Sequence, residues 1–559
     1  MYKGYKFYSL VSIAAVFVVS LIAADIFSDI HTLPSWASVV PPLLSIALAL
    51  ITRQVYVSLL FGVIVGASLV AWNSGMGGLA AIGSSFIAVP EKYIMGALSD
   101  EGHISIVVFS MLIGAMVMII SSNGGMKGVV GILSRYAKSR RSGMLVTWLM
   151  GVVIFFDDYA NTLVVGNTMR SVTDRLKVSR EKLAYIVDST TAPIAAIAFV
   201  TTWIGAELSY IQEGLNHTEL EASAYMVFIK SLAYSFYPIL TLVFVLFVVL
   251  TGRDFGAMAK AEKRAVDNGC VSDVDGDNEE ARLDIAKCRW WNAALPVAIV
   301  VLGTVIGLVY TGSGADPGAG SSFIERASAV IGAADSFKAL LWSSFIGMVV
   351  AALMTVTQKL MSLEKVTTTA LDGCKSMFNA LAVLTLAWSL SAIAEDLHTS
   401  DFIVGVLVDS HVSPQLMPSI TFVIAGIMAF STGTSWGTMS IVYPLVLPAV
   451  WSVTKMAGWG DAETYSLFCN SVASVLAGAV WGDHCSPISD TTILSSLSCE
   501  CNHIQHVNTQ MPYAIAVGCT SLICAIIPVG FGLHPMIGFA VSIAVLYGVI
   551  MIIGKKIDV

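Results

Sequence analysis

The sequence predicts an all-α polytopic membrane protein of about 12 transmembrane helices, with two inverted-topology repeats that each hold a re-entrant hairpin and a broken helix. Three observations carry this. Of 559 residues, 56% are hydrophobic and 12% charged, with a mean hydropathy of +0.79, whereas soluble domains carry roughly 25% charged residues. Apolar runs of about 20 residues, the length a bilayer demands of a helix, recur along the whole chain. Several of these runs are interrupted by acidic and hydroxyl residues. The formal net charge of −8 says little about partners, because in a membrane protein the placement of charge matters more than its sum. No basic patch with interleaved aromatics points to nucleic acid.

The elements follow in chain order. The segment Phe7 to Phe27, preceded by Lys3 and Lys6, has a longer apolar stretch than the ~7–15 residues of a signal-peptide core and reads as an uncleaved first helix. Further spans are expected at about 38–52, 55–74, 104–123, 183–206, 224–250, 290–311, 337–357, 376–396, 466–499, 511–530 and 534–553. Thr251 to Lys287 mixes Lys260, Lys263 and Arg264 with Asp273, Asp275, Asp277, Glu279 and Glu280, a composition that reads as a mobile linker. The expected organisation is an N-terminal helix (1–37), a first repeat (38–250), a cytoplasmic linker (251–288), a second repeat (289–530) and a C-terminal helix (531–559).

Orientation follows from where Lys and Arg accumulate. Basic residues cluster at Arg53, at Arg135 to Arg141, at Arg170 to Lys182, at Arg253 to Arg264, at Lys359 and Lys365, and at Lys555 and Lys556. The loops at 28–37, 207–223 and 397–415 have none. Crossings with both termini in the cytoplasm, in a cell inner membrane, satisfy this pattern. Lys230, near the outer end of its helix, is expected to snorkel, and Glu395 with Asp396 reads as an interfacial pair at a helix end.

Two stretches remain. Gly143 to Met169 is apolar enough to span, yet both its flanks are basic. A hairpin dipping in from one side resolves the conflict, with its tip at Asp157-Asp158-Tyr159-Ala160-Asn161-Thr162. Pro418 to Val453, broken at Ser431-Thr432-Gly433-Thr434-Ser435, is expected to dip in from the other side. GGMKGVVGIL ending at Leu133 resembles HTSDFIVGVL ending at Leu407, and the breaks after Phe156 and Phe430 repeat the same shift of 274 (407 − 133 and 430 − 156). DSTTAPIA with Pro193 resembles GDHCSPIS with Pro487, a shift of 294 (487 − 193). Inverted repeats with paired interrupted segments point to a transporter's central site.

Asp157 and Asp158 follow Ile154-Phe155-Phe156 directly, and a charge at that depth costs at least ~2.5–3.5 kcal/mol on insertion scales. Asn161 and Thr162 add the oxygen ligands that suit a hard cation, although such residues also cap helices and bond within bundles. In the first broken helix, Asp188, Ser189, Thr190 and Thr191 precede Pro193, which frees a carbonyl one turn back. The second is richer: Asp483, His484, Ser486, Ser489, Asp490 and Thr491 surround Pro487. A proton-exchanging site needs a carboxylate whose proton affinity desolvation lifts toward neutral pH. His484 can relay protons or bond a neighbouring carbonyl; the residues leave both open. Cys499, Cys501, His503 and His506 are donors that suit zinc, but the C-x-C spacing is tighter than common structural sites and they read as loop residues.

GDHCSPISDTTILSS resembles the signature of the NhaC-type sodium/proton antiporter family, within the wider ion-transporter superfamily. VVIFFDDYANTLVVG, DSTTAPIA and LTLAWSLSAIAEDLHTSDFI are similar to that family as well, so the likeness runs from about residue 100 to 500. The resemblance implies an elevator-like or rocking transporter with Asp157, Asp158, Asp188, Asp483 and Asp490 at or near the transport site. The expected function is secondary active exchange of sodium for protons, with sodium held by Asp157, Asp188, Asp483 and Asp490 and by the hydroxyls of Thr432, Thr434 and Ser435. Members of such families also exchange small organic acids, which leaves a coupled exchanger of an organic acid or amino acid as the alternative. An anion would need a basic residue or half-helix N-termini at the site, and the motif segments carry no central Lys or Arg. An intramembrane aspartyl protease would use paired carboxylates but has no need of inverted hairpins, and a passive channel has no need of titratable groups at a closed site. No G-x-x-x-x-G-K-[ST] motif suggests ATP. No cofactor is expected beyond transported sodium and protons; the expected partners are small ions and the bilayer, not nucleic acid, with a homodimer left open.

Overall fold

The computed structural model describes residues 35–268, 288–314, 329–399 and 413–557, apart from positions 53, 217, 219, 221 and 332, together with positions 326 and 402. The expected first helix over 7–27 and the repeat segment at 403–407 lie outside the described residues. The helices are α1 (Val40–Thr52), α2 (Val55–Asn73), α3 (Gly78–Ala88, carried through a π turn at Val89–Ile94 to Met95–Ser99), α4 (Glu101–Ser122), α5 (Gly125–Leu133), α6 (Arg140–Val153), α7 (Asp158–Arg175), α8 (Arg180–Ser189) and α9 (Ala192–Ala195). There follow α10 (Ile204–Asn216), α11 (Ala224–Ser231), α12 (Phe236–Thr251), α13 (Gly256–Asn268), α14 (Trp291–Thr311), α15 (Ser336–Thr357) and α16 (Leu363–Asp396). The last are α17 (Met417–Thr432), α18 (Ser435–Met456), α19 (Asp461–Cys485), α20 (Asp490–Ser498), α21 (His503–Thr520, running on through Ser521–Ile526 to Ile527–Gly530) and α22 (Pro535–Ile553). Two short strands, β1 (Arg253–Asp254) and β2 (Lys555–Lys556), pair antiparallel.

Among the described residues, 10 helices are long and apolar enough to cross a membrane, or 11 if α11 and α12, bent by 46° around Ser235, count as one span. This is an all-α, multi-pass membrane protein. The hairpin expected at 143–169 closes on itself: Arg140 at the start of α6 donates to the carbonyl of Lys177 just past α7 (3.2 Å). Its arms of 14 and 18 residues reach about 21 and 27 Å, short of a hydrocarbon core of about 30 Å. A capping box between Ser139 and Ser142 starts the first arm. In the second hairpin, Met417 at the start of α17 packs with Ala449 and Val450 near the end of α18. Its arms differ from those of the first hairpin in being long and apolar enough to cross a membrane.

Four expectations need correction. The span at 183–206 is three pieces, α8, α9 and α10, because hydroxyls at Thr190 and Thr191 turn back onto the carbonyls of Ile186 (2.8 Å) and Val187 (2.5 Å) ahead of Pro193. The span at 376–396 starts earlier, at Leu363, where Ser362 caps it. The linker's first half is not mobile chain: α13 is a helix whose Glu262, 1% exposed, pairs with Arg140 and accepts from the N–H (2.8 Å) and hydroxyl (2.7 Å) of Ser179. Finally, α3 and α5 fill stretches left without a helix; Gly77, Pro90, Glu91 and Lys92 break up the apolar signal of the first.

The helices pack in two groups. In one, α14 lies on α15, α4 on α15 and α16, and α16 on α2, which also meets α1 and α3. In the other, the second hairpin packs on α19, α18 also meets α10, α20 lies on α7 and α8, and α19 on α21. Within the first group α4 and α16 cross at a pair of glycines, where a Cβ on Gly373 would sit 2.3 Å from the carbonyl of Gly114 and one on Gly114 would sit 2.6 Å from that of Gly373. Small residues let membrane helices approach this closely. Gly373→Val is therefore expected to lower the melting temperature of the detergent-purified protein, in line with an overpacking cost of about 1–3 kcal/mol; an unchanged melting curve would rule out this crossing.

Candidate functional site

Both hairpins break in the same way. Helix α6 ends at Val153, and the chain stays non-helical to Asp157, which caps α7 by accepting from the N–H of Ala160 (2.7 Å). Helix α17 ends on Gly433, whose φ of +70° is left-handed, and Thr434 then caps α18. A Cβ on Gly433 would lie 2.5 Å from the carbonyl of Ile488, so only glycine fits between the second hairpin and the second broken helix. The two capping residues share one backbone conformation, φ −154° and ψ 127° at Asp157 against −151° and 125° at Thr434. They are 277 positions apart (434 − 157), three more than the shift of 274 read from the sequence, because Ser431, Thr432 and Gly433 stand between Phe430 and its cap while Asp157 follows Phe156 directly.

Each hairpin tip is bonded to a broken helix. In the first repeat Thr202 donates its N–H to the carbonyl of Phe156 (3.0 Å), and Asn161 donates to the carbonyls of Gly151 (2.7 Å) and Thr190 (3.4 Å). Thr162 meets the hydroxyl of Thr191 (3.2 Å), and Ser189 is buried alongside. In the second repeat Ser486 donates to the carbonyl of Phe430 (2.7 Å) and Ser435 to that of Ala479 (3.3 Å), while Thr432 bonds back to Met428 (2.9 Å). Ser489 caps α20, whose first residue is Asp490. Thr491 joins the two acids of this motif: its hydroxyl donates to Asp483 (2.9 Å) and its N–H to Asp490 (2.9 Å). The other oxygen of Asp483 is buried without a hydrogen-bond partner among the described residues. Nδ1 of His484 lies 2.9 Å from the hydroxyl of Tyr237.

Two carboxylates of these motifs link the two hairpin assemblies. Tyr159, beside the first hairpin's acids, donates to Asp490 (2.6 Å). Asp188 accepts from Thr492 (2.9 Å), Ser495 (3.2 Å) and Gln510 (2.5 Å), tying α8 to α20 and α21. Gln510 also bonds the carbonyl of His484 (3.0 Å).

A cavity of about 490 Å³ opens where this assembly faces the other group of helices. Asp157, Asp158, Tyr159, Thr432, Thr434 and Asp490 line one wall, and Ser121, Ser376 and Asn379 the other. Among the described residues its lining contains no Lys or Arg. Asp157 and Asp158 are buried, while Asp490 is exposed into the space. Asp188, Asp483 and His484 lie outside the lining. Among the described residues no three His, Cys, Asp or Glu side chains close on one point as metal ligands, so any cation held here would complete its shell from hydroxyls, amides and carbonyls. His503 and His506, weighed above with Cys499 and Cys501, both share the hydroxyl of Ser496 (3.1 and 2.9 Å), and their second nitrogens meet the carbonyl of Pro487 (2.7 Å) and the amide of Gln510 (3.0 Å).

Sequence reasoning left out Tyr159, Thr492, Ser495 and Gln510. Tyr159, Thr492 and Ser495 stood inside the quoted motifs. Gln510, an amide two residues ahead of Pro512 in a long apolar helix, was the remaining signal.

A model of the Na+/H+ antiporter family matches residues 195–531. The chain belongs to that family. It is a secondary transporter, not an enzyme. An uncharacterized protein of Haemophilus influenzae is 34% identical to this antiporter-family chain over 528 residues, 93% of this chain and 95% of that protein. The Malate-2H(+)/Na(+)-lactate antiporter of Bacillus subtilis is 30% identical over 104 residues, 19% of this chain and 20% of that one. Among solved structures, the YdaH transporter of Alcanivorax borkumensis shares the fold at a TM-score of 0.52 and 15% identity, over 82% of this chain and 90% of that one. MtrF of Neisseria gonorrhoeae, described with a class of antimetabolite efflux pumps, shares it at 0.52 and 9%, over 84% and 85%. The matched residues of the family model begin after the first hairpin, so Asp157 and Asp158 stand outside them.

Proposed function

We propose that this chain exchanges sodium ions for protons at the cavity between its two groups of helices, in a cell inner membrane, with both termini cytoplasmic. The observation that carries the reading is a cavity wall with three carboxylates, Asp157, Asp158 and Asp490, and no Lys or Arg among the described residues that line it. Carboxylates at membrane depth are costly, and a bound cation or bound protons offset that cost alternately. Deprotonated, the acids hold sodium together with Thr434 and the other oxygens of the wall; protonated, they release it. Asp483 supports Asp490 through Thr491. Asp188, whose oxygens already take three donors, holds the two broken helices together as the site is presented to either side. Movement of the hairpin assembly against the α2–α4–α16 group supplies alternating access.

One observation favours a second reading, coupled exchange of a small organic acid. About 490 Å³ is far more room than a bare ion fills and lies in the range of small-molecule pockets, roughly 300–1,000 Å³. The malate–lactate relative points the same way. Purified protein in vesicles, with an imposed sodium gradient and a lumenal pH dye, separates the two. Sodium-dependent proton movement without any organic acid is expected. A preparation that exchanges malate or lactate but moves no protons with sodium alone would overturn the leading reading.

A further inference from the structure

His503 and His506, in the first turn of α21, meet Ser496 of α20 in a cluster that shares no residue with the lining of the transport cavity. Ser496, His506 and the neighbouring Gln510 are fully buried, and His503 is half-buried. The hydrogen bonds fix where the hydrogens sit. Nε2 of His503 lies 2.7 Å from the carbonyl of Pro487, which can only accept, so this nitrogen carries a hydrogen. The amide nitrogen of Gln510 faces two acceptors, Asp188 (2.5 Å) and the carbonyl of His484 (3.0 Å). Its oxygen therefore faces Nε2 of His506 (3.0 Å), and that nitrogen carries a hydrogen too.

With both rings neutral, each Nδ1 is then bare. The two bare nitrogens (3.1 and 2.9 Å) and the carbonyl of Thr492 (2.8 Å) converge on the hydroxyl of Ser496, which has one hydrogen to give. Five polar contacts, one to Pro487, one to Gln510 and three to Ser496, thus share three hydrogens. A proton on Nδ1 of His503 fills a fourth contact, because the imidazolium donates to Ser496 and Ser496 donates to His506. A second proton is opposed by the charge of the first. Charges on the elements packed around α20 and α21 are bound to one another: Arg170 and Arg180 to Glu500, Arg264 to Glu181, Arg140 to Glu262 and Lys182 to Asp254. His484 faces Tyr237, and Asp483 meets Asp490 through Thr491. Asp188, reached from His506 through Gln510, is the anion that favours a positive charge at the pair.

We propose that His503 and His506 bind one proton between them through Ser496, at a site outside the transport cavity, and that this proton clamps α20. The cluster holds that helix at both ends, at Pro487 just ahead of it and at Ser496 in its last turn. Its first residue is Asp490, which opens into the cavity. Losing the proton as pH rises leaves bare nitrogens against Ser496 and loosens the helix that carries a cavity carboxylate. The proton site stands on these hydrogen bonds alone, whereas its effect on exchange rests on the transport reading proposed above.

The test is nitrogen NMR of the purified full chain carrying isotopically labelled histidine, followed across about pH 5 to 8, where imidazoles titrate. A ring with both nitrogens protonated is expected at the acidic end and is expected to vanish in His503→Gln, which keeps a donor for Pro487. Ser496→Ala is expected to need a roughly tenfold higher proton concentration to charge that ring, the effect of losing one hydrogen bond to a charged group. In vesicles, the pH at which sodium-driven exchange falls off is expected to move by the same factor in Ser496→Ala. A His503 ring that stays singly protonated throughout overturns the proposal, as does a Ser496→Ala protein that charges at the wild-type proton concentration. An unmoved exchange profile beside a moved titration overturns the clamp on α20. Wild-type vesicles with no sodium-driven exchange at all overturn the transport reading instead, and the ring titration still decides the proton site.

Discussion

Asp490→Asn is expected to reduce sodium-driven proton movement in vesicles to the level of protein-free vesicles, while the protein still inserts and elutes as wild type from a sizing column. Asn keeps the volume and can still accept from Tyr159, but it can neither carry the charge that attracts a cation nor take up a proton. The side chain opens into the cavity and already has a donor from Tyr159 on one oxygen and the N–H of Thr491 on the other. Tyr159→Phe provides the graded control. It leaves the carboxylate titratable and removes one hydrogen bond to a charged group, worth about 1.5–3 kcal/mol, so exchange is expected to slow roughly 10- to 100-fold without disappearing. Wild-type exchange in Asp490→Asn would show that this carboxylate holds structure only. Asp157→Asn is the stricter companion, because that carboxylate also caps α7. Its loss of exchange counts only if the melting temperature stays within the modest loss expected when a cap is weakened, about 1 kcal/mol.

Most of the fold was legible because lipid admits few solutions. Uninterrupted apolar runs such as 55–73, 101–122 and 291–311 had to be helices, since no water satisfies their backbone. The first hairpin was legible from a conflict, an apolar run with basic residues at both ends, and Arg140 reaching the carbonyl of Lys177 is that conflict resolved. Polar interruptions were harder to read. Asp157 and Asp490 stand in the cavity wall, but nothing in DSTTAPIA distinguishes Asp188, whose partners Ser495 and Gln510 lie more than 300 positions away. Such partners are set by how the repeats dock, which local pattern does not encode. For the same reason α13 read as a linker. Its charges resemble a solvated segment until Arg140 and Ser179 are brought to Glu262.

The largest effect on stability is expected at the other end of α8, from Asp254→Asn. Lys182 is 1% exposed, its ammonium paired with Asp254 and set over the ring of Tyr513 at 5.6 Å. Tyr513 donates its hydroxyl to the same carboxylate (2.5 Å), so α8, β1 and α21 meet on one charge. Removing that charge strands a buried ammonium, and breaking a buried pair from one side costs about 3–5 kcal/mol. The detergent-purified variant is expected to melt well below wild type. Removing both charges avoids the stranded ion, and well-packed apolar replacements of buried pairs are often neutral. Lys182→Met combined with Asp254→Asn is therefore expected to recover most of the lost melting temperature, short of what the carboxylate's charge adds to the hydrogen bond from Tyr513. If the single variant melts like wild type, the pair is hydrated and does not hold these three elements together. If the double variant melts as low as the single one, the loss belongs to the hydrogen bond from Tyr513 and not to the buried charge.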